Sequence, residues 1–526
     1  MTLREHVQSE VLGNRIAVAR PAAPTALSGR PLVRIRITLG LSACALACAS
    51  LSAADQAARA RVVFMEPIAS LPGPKPHTYA LITDAERLAT YRGWLENESA
   101  KRALDLYERA HATMRRRSSD QTETPPFYIA VVPRGNHVDV GFRLQTDEGV
   151  KNHLETFYIK LGPQPERFTT TLFHETGHIV LAILNDNDAI PTRKIASIPH
   201  STAALTDRGT AFNEGFAIHL ETLAAHLNSD ADTRRRYHYG KLDFGESADR
   251  RNVYYRHAAD LMSFSQNLAR YREVVENTFA FASAFREPNY LRVQLEKSRD
   301  FVLLRGANQL LQSEGFYASF FFTVLMRGDA IPQPSVLAKR QDKMLAALAE
   351  MFASVSATPE TPYLIEFVTT YMRLYPEEAA QIADVLLDLS HGVFVDPYAH
   401  SIWRKHYLAA LQLDTQKLRD DSIERTRIRW RMAVASDPQI LRTRLGPQIP
   451  CQVPEVKVWL IAFGNPAPLG FDLNTVQQGI MRMIPGISDG EVKHWLMERL
   501  RQPYVDVDDF KGRCNLSDAV LAKMKL

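Results

Sequence analysis

The sequence predicts an α+β protein that is predominantly α-helical, and three observations carry that expectation. Phe127 to Val132, His137 to Leu144 and Thr156 to Leu161 are short runs with β-branched and aromatic character, the composition of strands. They lead directly into Phe168 to Leu184, a stretch without proline whose Leu172, Phe173, Ile179, Val180 and Leu181 suit a buried helix. From residue 257 to about 434 almost everything reads helical, with breaks at Asp329 to Ser335 and at Ala357 to Pro362.

The chain begins with a segment of different character. Arg30, Arg34 and Arg36 precede an uncharged run, Ile37 to Ala53, rich in Leu, Ala, Ser and Cys, with an Ala-x-Ala-like end around Ser52 to Ala54. This is the pattern of an export signal over residues 1–54, too short and too rich in small residues for a membrane span. Leu41-Ser42-Ala43-Cys44 also resembles a bacterial lipobox, which would make Cys44 the site of a lipid anchor. Residues 1–53 hold six Arg and two Glu, so the whole formal charge of +4 lies there and the rest of the chain is balanced. No global electrostatic case for nucleic acid or an anionic membrane follows. The expected location is the periplasm or the cell envelope. Outside the signal the cysteines are Cys451 and Cys514, a candidate disulfide in an oxidising compartment, with two buried free thiols as the alternative.

Leu71-Pro72-Gly73-Pro74-Lys75-Pro76 reads as a linker, and residues 84–117 as a helix or helix pair ending in Arg115-Arg116-Arg117. That basic cluster and the one at 234–236 read as solvated helix ends.

The chemistry is concentrated in two segments. His174-Glu175-Thr176-Gly177-His178 is an HExxH: on a helix its histidines stand at i and i+4, so both imidazoles leave one face and can share a metal ion. Glu175, beside the first of them, is placed to take a proton from a metal-activated water. The second segment is Phe212-Asn213-Glu214-Gly215-Phe216-Ala217-Ile218-His219-Leu220-Glu221. Glu214 and Glu221 are seven apart and so share a helical face, from which the second carboxylate can orient a ligating histidine.

Together these segments resemble the HExxH and NEGFAxYxE motifs of the gluzincin aminopeptidases. The resemblance implies a zinc site of His174, His178 and Glu214, Glu175 as general base, and a mixed upper subdomain with a small β-sheet. It covers little more than residues 126–230. Thirty-five residues separate His178 from Glu214, more than in those aminopeptidases, and His219 stands where they have Tyr. Asn185 to Thr210 is therefore expected to form a loop or short elements over the site. His200, His219 and His226 are further ligand candidates. Gluzincins also place a Tyr or His to stabilise the oxyanion, for which Tyr317 and Tyr290 are the candidates, with Tyr237, His238, Tyr254, Tyr255 and His257 nearer the ligand. No GxMEN-like segment for gripping a substrate amino terminus is present, so an aminopeptidase activity does not follow.

The last segment contains Phe471-Asp472-Leu473-Asn474-Thr475, then Met483-Ile484-Pro485-Gly486-Ile487-Ser488, then Val492 to Arg499. It resembles the helix-hairpin-helix modules of competence-type DNA-binding proteins and of some secretion-system proteins, with Asn474 or Thr475 capping a helix and Pro-Gly forming the hairpin. Residues 447–526 hold nine Lys or Arg and nine Asp or Glu, which favours a protein contact over phosphate binding. The expected organisation is a signal at 1–54, a gluzincin-like catalytic region at 78–260, a helical lower subdomain at 261–440 and the hairpin module at 447–526. The expected function is an exported zinc metallopeptidase acting on a peptide or protein. A non-proteolytic zinc-containing envelope protein and a DNA-associated protein acting through its C-terminal module are the alternatives.

Overall fold

The strands form a barrel rather than the small sheet expected from the sequence. β1 (Val62–Pro67), β2 (His77–Leu81), β3 (Phe127–Val131), β4 (His137–Thr146) and β5 (Gly149–Leu161) close in the order β1-β2-β4-β5-β3, with β3 returning parallel to β1. The structure is a computed structural model describing residues 61–68, 76–118, 123–133, 135–169, 171–188, 207–230, 279–281, 306–328, 332–355, 361–390, 392–399, 402, 416–460 and 466–526. The expected export signal with Cys44, the expected linker from Leu71 to Lys75 and the cluster at 234–236 lie outside these residues.

Strand alternation gives the barrel two apolar faces. Met65, Tyr79, Tyr128, Ala130, Val132, Phe142, Leu144 and Tyr158 form one cluster. Val62, Phe64, Phe127, Ile129, Val131, Ile159 and Leu161 point the other way and join the main helical core. Lys160 and Asp139, both buried, pair at 2.9 Å beside Tyr158. At the bulge between Val140 and Phe142, Gly141 has φ +80° and lies so close to the Leu154 carbonyl that a side chain would collide with it.

Two of these strands, and half of a third, escape a reading of the sequence. β1 ends in Pro67 and β2 follows a Pro-rich run, so both look like linker. The first half of β5 is an exposed arm paired with β4, whose apolar Val150 and Leu154 stand at the surface instead of lining a core.

The expected helix pair is α1 (Ala85–Trp94) and α2 (Glu98–Ser118). Asn97 sits between them, accepts from the Ala100 amide and donates to the Phe168 carbonyl, tying the start of α2 to the chain entering the HExxH helix. That helix is α3 (Thr171–Leu184), and α4 (Arg208–His226) carries Glu214. Asp207 caps α4 by accepting from the Thr210 amide at 3.0 Å. Among the described residues of the region read as helical is also a strand, β6 (Phe279–Phe281), which pairs with a C-terminal strand, a partnership that periodicity cannot reveal. The helices resume as α5 (Ala307–Leu310), α6 (Glu314–Met326), α7 (Pro334–Ser354), α8 (Tyr363–Leu374), α9 (Ala379–Leu389), α10 (Gln416–Ser436) and α11 (Ile440–Leu445), with the two expected breaks falling at the ends of α7.

α6 is apolar on all sides and lies in the core, where Phe320, Phe321, Phe212, Phe216 and Phe367 pack together. Burying each such side chain contributes about 1.5–3 kcal/mol, which makes this helix a main anchor for its neighbours. No helix among the described residues is long and apolar enough to cross a membrane.

The C-terminal residues keep a core of their own within the same compact unit. The antiparallel pair β7 (Pro450–Leu460) and β8 (Pro466–Asp472) is followed by α12 (Gln478–Met481), α13 (Asp489–Arg501), α14 (Val507–Cys514) and α15 (Asp518–Leu521). Gly486 makes the expected turn with φ +85°, and Ser488 forms a capping box with Glu491. Two expectations are corrected. Gln477 occupies the N-cap position of the first helix without a side-chain capping bond; Asn474 instead donates to the carbonyls of Pro447 and Tyr504, and the amides of Asn474 and Thr475 serve the Asp472 carboxylate. Cys451 and Cys514 are free thiols buried in one apolar cluster, and burial raises both pKa values, that of Cys451 to about 12.

Candidate metal centre

Two helices that touch backbone to backbone create the site. A Cβ placed on Gly177 would lie 3.0 Å from Ala217 Cα and 2.9 Å from the Leu220 side chain, so only glycine lets α3 and α4 cross this closely. Across that contact the His174 and His178 rings stand 5.0 Å apart and nearly perpendicular on α3. Glu214 projects from α4 with one carboxylate oxygen 3.5 Å from His174 Nε2 and 3.7 Å from His178 Nε2. All three donor atoms lie within 4.8 Å of one another. Donors about 2.0–2.2 Å from a tetrahedral ion stand roughly 3.3–3.5 Å apart, so the cluster fits a metal with little adjustment.

The far sides of the imidazoles are also held. His178 Nδ1 is 3.1 Å from Asn213 Oδ1 and donates to it, which leaves Nε2 with its lone pair toward Glu214. His174 Nδ1 lies 3.6 Å from a Glu221 carboxylate oxygen, the orienting placement expected of that residue. Burial alone would lower the His174 pKa, but the Glu214 and Glu221 carboxylates on either side, with Glu175 nearby, hold it well above the ordinary histidine value. A field that draws a proton there draws a metal cation as well. Glu175 is buried on α3 between the two histidines.

No protein-family model matches the chain, and no curated protein or solved structure matches it either.

The remaining candidates are distributed differently. His219 is fully buried, its Nδ1 hydrogen-bonds the Phe216 carbonyl, and its ring packs against Phe216 and Phe321. Burial pushes its pKa down to about 3, the state of a neutral core histidine. His226 packs against Phe322. Tyr317 is buried on α6 with its hydroxyl donating to the Leu311 carbonyl at 3.1 Å, so it is committed elsewhere than at the three ligands. Tyr290, His200, Tyr237, His238, Tyr254, Tyr255 and His257 lie outside the described residues, as does most of the insert between α3 and α4. Asn213 joins the site as a residue whose partner the sequence does not disclose; its position immediately before Glu214 on α4 is the one local signal.

Proposed function

We propose that this chain is an exported zinc-dependent metallopeptidase of gluzincin type, hydrolysing peptide bonds in a peptide or protein substrate. The observation that carries this reading is the convergence of donor atoms of His174, His178 and Glu214 to within 4.8 Å of one another, beside buried Glu175. Two imidazole nitrogens and one carboxylate form the donor set of catalytic zinc sites that keep a fourth position open. Strands that run directly into the HExxH helix are in keeping with the same resemblance.

Bound zinc would supply a Lewis acid that polarises the scissile carbonyl and lowers the pKa of a water toward about 7. Glu175 takes the proton from the attacking water and passes it to the leaving amine nitrogen. Asn213 accepts from His178 Nδ1 and fixes its tautomer, and Glu221, with an oxygen 3.6 Å from His174 Nδ1, is placed to orient His174 after a small approach. The developing oxyanion needs a donor other than Tyr317, whose hydroxyl is occupied by Leu311.

The test is metal content of the purified protein beside His174→Ala and Glu214→Ala, with casein and peptide-library cleavage on the same samples. The expected result is one zinc per chain, lost in both variants, and cleavage abolished by Glu175→Gln with zinc retained. Bound zinc with no cleavage of any substrate, or activity that survives Glu175→Gln, would overturn the peptidase reading.

A further inference from the structure

We draw no further inference here: the strongest candidate, the outer edge of the β5 arm at residues 149–157, which pairs with β4 on one side and with no strand on the other among the described residues and leaves Val150 and Leu154 exposed, carries nothing because nothing in the structure shows what covers it.

Discussion

At the scale of single residues, two histidines on α4 and α3 show how one side chain is given opposite tasks by its surroundings. His178 faces a carboxylate and an amide oxygen and offers a lone pair, whereas His219, five residues after Glu214, is sealed among Phe216 and Phe321 as an uncharged core group. Its folded pKa of about 3 lies below the unfolded value of about 6.5, so acid protonates the unfolded chain first. The stability associated with neutral His219 is fully present above about pH 6.5 and is lost as pH falls toward 3. Between pH 7 and pH 5 that loss is about 2 kcal/mol. Urea unfolding at both pH values should show this drop in the wild type and a drop smaller by that amount in His219→Leu. An equal drop in the two proteins would refute the assignment. The ligands themselves were legible because helical periodicity converts the spacing of His174 and His178, and of Glu214 and Glu221, into shared faces. The tyrosines were not, because a hydroxyl's direction depends on tertiary packing that no local spacing encodes.

At the scale of elements, α4 is confined on both flanks. Gly177 brings it against α3, and a Cβ on Gly215 would meet both the Glu314 carbonyl and the Tyr317 Cβ of α6 at 2.5 Å. Gly215→Ala should therefore force α4 and α6 apart and destabilise the fold by about 1–3 kcal/mol. Because Gly215 follows the ligand, metal affinity should fall as well. Gly93→Ala, whose new methyl meets nothing within 4 Å, is the control expected to leave metal affinity unchanged and to raise stability by at most about 1 kcal/mol through helix propensity. Unfolding curves with competitive metal titration on the two variants check this, and equal behaviour would contradict the packing argument. The helices of this region could be anticipated from apolar periodicity, and the breaks around α7 from Pro and polar residues. The barrel could not: parallel pairing of β1 with β3 and of β2 with β4 joins segments distant in sequence, and closure leaves no signature in any single strand.

At the scale of the whole molecule, the C-terminal core is connected to the helix bearing Glu214. Arg208, the first residue of α4, donates through Nε and Nη2 to Asn308 Oδ1 at 3.1 and 2.6 Å, and the Asn308 amide donates to Thr475 Oγ1 at 3.4 Å. Arg208→Ala should leave the three ligands in place yet weaken metal binding severalfold and lower the melting temperature, since buried Asn308 loses its partner. Metal titration and calorimetric melting of this variant measure both effects; unchanged values would mean that the connection is incidental. No reading of residues 447–526 by themselves could have revealed it, because Arg208 and Asn308 lie outside that segment and belong to no recognisable motif.

That connection also imposes an order of events on a newly made chain. The histidines are four residues apart on one helix and come together as soon as α3 forms, whereas the contacts from Arg208 to Asn308 and from Asn308 to Thr475 span 100 and 167 residues. A nascent polypeptide that ends before Thr475 carries His174, His178 and Glu214 but lacks the fastening of the helix that brings the carboxylate to the imidazoles. Completion of the candidate metal centre would thereby wait for the end of synthesis, and under the proposed peptidase function that wait would separate being made from being armed.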